Sequence, residues 1–497
     1  MLLPVKKRLA IVAIVVLLVG AIGAAAFVVE SRNTSGTSSS STSGPGACSA
    51  VSGVFRTTLS SQSFGEVTTY RLPKPLLAPN SIVAAPDGSV WFGEVSLRGV
   101  AHLYVNGTLV EYPWPSSFYS SAAVCYDLEQ LWGVVLWKGM VWASDHTNDQ
   151  LVGLVPSNDT FRTIKLESGY SPRFLAIDPS GDLWFTTSAT PAQIGVVDSA
   201  TDSVSYFSVP AAAGEFAASL LFYNSSLAYV VAVSATDNLG QVLSFDPLSP
   251  GSTFQQVGGN QTLLGPYSAA AADGGLWVGE HDASDLAFFN QTSSQWSFYP
   301  TSLNPEVPLT LPYYLLSNGT GVWFNEHDSN KVAEIYGGGS SLTEYNVSDS
   351  SIKSGIGNLL TIGLDHNLVW FTEWTGNEVG FVNASMAPGF SISSAASSTV
   401  NDIEQGSSAQ FQLTVSGRSS APLAMQFSDS ESHTSVPVDI SFQTNSGSIS
   451  GLSGSRTVEL TVSVSAATPP GRYLLLATVT DSLTYSSVYI PVVVTGS

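Results

Sequence analysis

An apolar strand, a short turn rich in Gly, Asp or Asn, and a second apolar strand carrying tryptophan recur along the chain. The unit reads PDGSVWFGE (86–94), WKGMVWASD (137–145), PSGDLWFTT (179–187), ADGGLWVGE (272–280), SNGTGVWFNE (317–326) and LDHNLVWFTE (364–373), with a weaker copy YNSSLAYVVA (223–232). The anchor aromatics Trp91, Trp142, Trp184, Tyr229, Trp277, Trp323 and Trp370 are spaced by 51, 42, 45, 48, 46 and 47 residues. A period of that length, with room for four short strands per unit, predicts a β-propeller of seven blades. The fourth strands read LVEYPWP (109–115), VSYFSVP (204–210), WSFYPTS (296–302) and LTEYNVS (342–348), but the seventh unit stops after its third strand, EVGFVNAS (378–385). VTTYRLP (67–73) has the missing pattern and precedes the first blade, so the N-terminal strand is expected to complete blade seven and remove the open edge.

From Phe390 the period changes. FQLTVSG, VPVDISFQ, TVELTVSVS, YLLLATVT and VYIPVVVT alternate apolar and polar positions without any tryptophan, which predicts an immunoglobulin-like β-sandwich over 389–497. Before the repeats, Lys6, Lys7 and Arg8 flank an uncharged run from Leu9 to Val29, long enough to cross a bilayer core. Residues 1–30 therefore read as one N-terminal transmembrane helix, with the rest outside the cell membrane. GAIGAAA (20–26) leaves the alternative of a cleaved signal and a secreted chain. Residues 31–47 are a Ser/Thr/Gly-rich stalk, and 48–388 hold the propeller. The fold class is thus all-β, a seven-bladed propeller followed by the sandwich.

Composition changes this picture in three ways. The net charge of −21 leaves no basic surface for nucleic acid. Charged residues are only 11% of the chain, against about 25% in ordinary domains. Nine Asn-x-Ser/Thr sites, Asn33, Asn106, Asn158, Asn224, Asn260, Asn290, Asn318, Asn346 and Asn383, offer glycans as the missing solvation. Six of these, Asn106, Asn158, Asn224, Asn290, Asn318 and Asn383, fall in turns on one face, leaving the other open. The two cysteines, Cys48 and Cys125, exclude a cysteine-built metal site and are expected to pair across a loop of about 77 residues in an oxidising compartment, with two buried thiols as the alternative.

Candidate chemistry lies where the second strands end on the open face. The residue three beyond each anchor is Glu94, Asp145, Thr187, Ala232, Glu280, Glu326 or Glu373, and His146, His281 and His327 follow in three repeats. Recurrent carboxylates have two readings: acceptors for the N–H groups of their own loops, or ligands converging on Mg²⁺ or Ca²⁺. The pairs Glu280-His281 and Glu326-His327 add a base to neighbouring blades. Tyr267, Tyr313, Tyr314, Arg173 and Trp374 form an aromatic and polar mouth for a glycan, a peptide or a small molecule.

The stretches Trp370-Phe371-Thr372-Glu373-Trp374 with Asn377 and Val379-Gly380, and Trp323-Phe324-Asn325-Glu326 with Asn330-Lys331-Val332, resemble the repeats of streptogramin B lyases. The resemblance spans about 66–388. It implies Mg²⁺-assisted opening of a cyclic ester by elimination, with Glu280, Glu326 and Glu373 as metal-side carboxylates and a histidine base. That family places its histidines at the start of a first strand, commonly after proline; here Pro79-Asn80, Pro172-Arg173, Pro266-Tyr267 and Pro312-Tyr313 hold none. Two functions follow: ligand binding at the open face, and a metal-assisted lyase whose candidate catalytic residues are Glu326, His327, Glu280, His281 and Glu373.

Overall fold

The computed structural model describes residues 53–74, 77–118, 131–303, 309–347, 359–429 and 438–496. The expected anchor, the stalk, Asn33, Cys48, Cys125 and His433 lie outside them. Among the described residues the regular secondary structure is almost entirely strand, and no helix is long and apolar enough to cross a membrane.

Seven antiparallel sheets among these residues are laid radially. Their first strands are Pro79–Ala84, Val134–Trp137, Pro172–Ile177, Glu215–Asn224, Pro266–Ala272, Pro312–Ser317 and Leu359–Asp365. Each of these touches the next, and Leu359–Asp365 returns to Pro79–Ala84, so the inner strands form a closed, propeller-like ring. Closure follows the expected route. Val67–Arg71 pairs with Glu378–Asn383 in the register Val67↔Val382 to Arg71↔Glu378. Two strands are additions to that expectation: Ser61–Phe64 extends the seventh sheet, and Phe55–Thr58 pairs with Thr108–Pro113 on the first. The N-terminal segment thereby joins the last sheet to the first, with Leu59 N–H donating to Gly107 O at 2.8 Å.

The repeat exists because a flat sheet must bury both faces against its neighbours. The anchor rings Trp142, Trp277, Trp323 and Trp370 are all at most 2% exposed. Glycine on the adjoining third strand makes room for the aromatic next to the anchor: a Cβ at Gly195 would lie 2.1 Å from the Phe185 ring. The weaker copy keeps the packing with Tyr229, and its buried hydroxyl accepts a hydrogen bond from Gln291 Nε2 at 2.7 Å.

The C-terminal residues form two facing sheets around one apolar cluster that includes Leu413, Val415, Leu460, Val462, Ile490 and Val492. One sheet is Phe390–Ser394, Ser408–Ser419, Leu452–Val464 and Ile440–Thr444. The other is not a separate body. Its strand Thr484–Thr495 pairs with Ser341–Asn346, the outer strand of the sixth radial sheet, to make a nine-stranded sheet.

At that junction Lys331, 1% exposed, lies between Glu326 at 3.2 Å and Glu344 at 3.1 Å and sits 4.5 Å from the Tyr485 ring centre. Tyr489 O–H donates to Pro300 O at 2.8 Å. Asn346, read from sequence as a glycan acceptor, donates its amide to Ser482 O at 3.2 Å across the same junction.

Candidate functional site

The mouth of the ring is built by a backbone device repeated from sheet to sheet. Ala78, Ser171, Gly265 and Leu311 have φ of 52°, 43°, 62° and 58°, and each is followed by the proline that opens a first strand. The left-handed conformation is unfavourable for residues with a Cβ, so three of these four positions carry strain. Just beyond the proline each strand slips register: between Pro79 and Ile82, Pro172 and Leu175, Pro266 and Ala269, and Pro312 and Leu315. A bulge re-aims the residue it releases from the ladder. In three sheets the residue after proline, Arg173, Tyr267 or Tyr313, is delivered to one cavity of about 460 Å³.

That cavity is also lined by His281, His327, Trp132, Phe216, Ser188 and Asn238. Arg173 is 8% exposed, and its guanidinium lies 4.6 Å from the Trp132 ring centre and 4.8 Å from that of Phe216. It donates to Ser188 Oγ at 3.3 Å, and it hydrogen-bonds the Tyr313 hydroxyl. Burial pushes the phenols of Tyr313 and Tyr267 up, and the neighbouring arginine offsets part of the rise. Both stay protonated, as donors.

His281 Nε2 and His327 Nδ1 are 3.3 Å apart, and His281 Nδ1 is 3.2 Å from Asp282 Oδ1. The two imidazoles share one proton across this contact, and its donor is set by the tautomers. Burial, and then the His281 charge, lower the His327 pKa to about 3, so that ring is neutral at physiological pH.

Below the mouth the ring is plugged. Phe174 and Tyr314 stack with centroids 5.5 Å apart and an interplanar angle of 18°. Both rings line two lower cavities of about 380 and 310 Å³. The upper cavity is a blind pocket rather than one end of a channel. Tyr314 is thus a floor residue facing the lower side, although sequence placed it in the mouth. Trp374 is also elsewhere, packed with Val95, Tyr112 and Trp114 between the first and second sheets.

The acidic ring and the histidines part company. Glu280, Glu326 and Glu373 are fully buried at the ends of three different second strands and do not line the cavity. Glu280 accepts from Leu264 N–H at 2.8 Å. Glu326 accepts from the Ser329 hydroxyl and pairs with Lys331. Asp145 accepts from Asn148 N–H at 3.3 Å and from Gln150 Nε2 at 2.6 Å. Asp145 accepts a backbone N–H of its own loop, as the loop-bracing reading has it; Glu280 instead holds Leu264, ahead of its sheet's first strand, and Glu326 holds the Ser329 hydroxyl and Lys331. Strand alternation gives the reason, since a residue and its successor point to opposite sides and the histidine is the one that reaches the mouth. Among the described residues no group of three or more His, Cys, Asp or Glu is placed to hold a metal ion. The residues present do not fit the Mg²⁺ or Ca²⁺ that the motif resemblance implies.

Sequence reasoning missed Trp132, Phe216, Ser188 and Asn238. Trp132 precedes its first strand and belongs to no motif, and Phe216 opens a strand without the proline signature. Ser188 and Asn238 follow second strands at offsets that vary between repeats.

The turns on the opposite face explain why Asn-x-Ser/Thr recurs. Asn158, Asn224, Asn318 and Asn383 each accept, at Oδ1, from the backbone N–H and the hydroxyl two residues on. Asn106 and Asn290 accept from the corresponding N–H at 2.9 Å. Asp178 makes the same turn with Ser180. The motif is an Asx turn with a Ser/Thr brace, a structural job as well as a glycan acceptor's sequence.

No protein-family profile matches the chain, and no curated protein is similar to it. Among solved structures it is similar to virginiamycin B lyase from Staphylococcus aureus, with 16% identity and a TM-score of 0.48 over 63% of this chain and 98% of the other. A streptogramin B lyase structure gives 16% and 0.45 over 63% and 96%. A structure of YCF48 bound to D1 peptide gives 15% and 0.42 over 65% and 99%.

Proposed function

We propose that this chain is a seven-bladed β-propeller with an immunoglobulin-like sandwich, held outside the cell membrane by residues 1–30 and glycosylated on the face opposite the mouth, which binds a small or extended polar ligand in its blind cavity. The observation that carries the reading is the convergence of Arg173, Tyr267, Tyr313, His281 and His327 from three sheets on one cavity. Its size and mixed aromatic and polar lining suit a small molecule or the end of a glycan or peptide. The neutral His327 imidazole and the protonated phenols offer hydrogen bonds without fixed charge. Among the described residues no donor set is gathered for a metal-assisted lyase, and ligand binding is the reading adopted.

The test is a thermal-shift screen of the full chain against glycans, peptides and small acids, repeated with Ala235→Trp. Ala235 lines the cavity but is exposed, so the bulky ring narrows the mouth without entering the core. Ligands of the mouth lose their shift in the variant. Hits indifferent to Ala235→Trp contradict the proposal, and linearisation of virginiamycin S by the wild-type chain moves the protein to the enzymes.

A further inference from the structure

The least ordinary group in the mouth is Arg173. An arginine stays protonated even when buried, and taking its charge out of water is costly without a counter-ion. Here it is 8% exposed, and no carboxylate among the described residues lies within ion-pair distance of it. Its Nε, itself buried, has no hydrogen-bond partner among the described residues. Its neighbours there are two ring faces, the Ser188 hydroxyl and the Tyr313 hydroxyl. A chain with net charge −21 had carboxylates to spare for this position, yet the described residues that line the cavity include none.

Building on the ligand-binding reading above, we infer that the mouth takes a ligand bearing an oxyanion, a carboxylate or a phosphate or sulfate ester, on an aromatic or apolar body. The guanidinium fork, with its free Nε–H, pairs with two oxygens of the anion. The Tyr267 and Tyr313 hydroxyls are within the same cavity to donate to it, and Trp132 and Phe216 hold the fork rigid and wall it from water. The His281–His327 pair, further round the same cavity, meets the uncharged remainder.

Tryptophan fluorescence of the full chain, titrated with benzoate, phenyl phosphate, phenyl sulfate and neutral benzamide, tests this, because Trp132 stacks on the fork. At least one anion is expected to bind about tenfold or more tightly than benzamide, and the strongest of the three identifies the oxyanion. Arg173→Met is expected to abolish that preference, so that the anions bind no more tightly than benzamide does to the same variant. Arg173→Lys, which keeps the charge and loses the fork, is expected to fall between. Equal binding of anions and benzamide, or a preference that survives Arg173→Met, overturns the inference. Benzamide bound alone, and lost in Ala235→Trp, overturns the oxyanion while keeping the mouth as a binding site. No binding by any of the four at millimolar concentration overturns both.

Discussion

Replacing Lys331 by methionine tests the junction between the ring and the C-terminal sheets. In the native protein the Lys331 ammonium donates to Ser302 O and Oγ, both at 2.8 Å, and to Glu344 at 3.1 Å, with Glu326 at 3.2 Å. Burial raises the Glu326 pKa above its ordinary value, a rise that Lys331 offsets in part and Glu344 adds to. Glu326 Oε1 and Glu344 Oε2 are both buried without a donor. A proton carried between them satisfies both oxygens, and the trio then holds one positive and one negative charge.

Methionine fills similar space but removes the positive charge, so the remaining carboxylate must also take up a proton. At pH 7, protonating a group with an ordinary pKa near 4.3 costs about 4 kcal/mol, at about 1.4 kcal/mol per pH unit. This lies within the range of about 3–5 kcal/mol for breaking a buried pair from one side. At pH 5 the same step costs only about 1 kcal/mol. Urea unfolding of wild-type and Lys331→Met chains, followed by tryptophan fluorescence at both pH values, reads the difference. A penalty of about 4 kcal/mol at pH 7 that shrinks about fourfold at pH 5 is expected. A penalty below about 1 kcal/mol at pH 7, or one independent of pH, refutes the shared-proton description.

Glu326 itself makes stability fall as pH rises from 4.5 to about 8, because over that window the native state holds a proton the unfolded chain has released. Glu326→Gln is expected to flatten this slope in pH-dependent unfolding. His327 and His102 act on the acid side: burial lowers them to about 3 and about 4, so the unfolded chain takes up protons that the native state refuses as pH falls below 6.5. Stability is lost in that direction, and His327→Gln is expected to remove part of the loss. Truncation before Leu72 removes Val67–Arg71 and bares the edge of Glu378–Asn383, so light scattering is expected to show aggregation where the intact chain stays dispersed. In a non-glycosylating host, Asn158→Asp is expected to leave stability almost unchanged, since a carboxylate also closes the turn, whereas Asn158→Gln costs about 1 kcal/mol. Equal losses in thermal unfolding contradict the Asx-turn account.

The ring was legible because its signal is local and repeated. Each tryptophan strand carries its own turn, and the fourth-strand pattern at 67–73, missing from the seventh unit, matched the four that the other units showed. The pairing of Ser341–Asn346 with Thr484–Thr495 was not legible, because each strand alternates like any other and nothing local marks its partner. The mouth was half legible. Arg173, Tyr267 and Tyr313 follow a visible proline, and the bulge that aims them repeats with it. Tyr314 follows the same proline by one more residue, and strand alternation turns it to the floor. Trp132 and Phe216 complete the site from strands without that signature. The glutamates misled for the opposite reason: they recur conspicuously, but Glu280 is engaged by Leu264 N–H and Glu326 by Ser329 and Lys331, away from the mouth.

The account stands most directly on what occupies the mouth. A crystal structure of the full chain grown with the tightest-binding oxyanion should show the anion against Arg173 Nε, with the ring of the ligand toward His281 and His327. Density for the compound at another surface, with the cavity filled only by water, contradicts it.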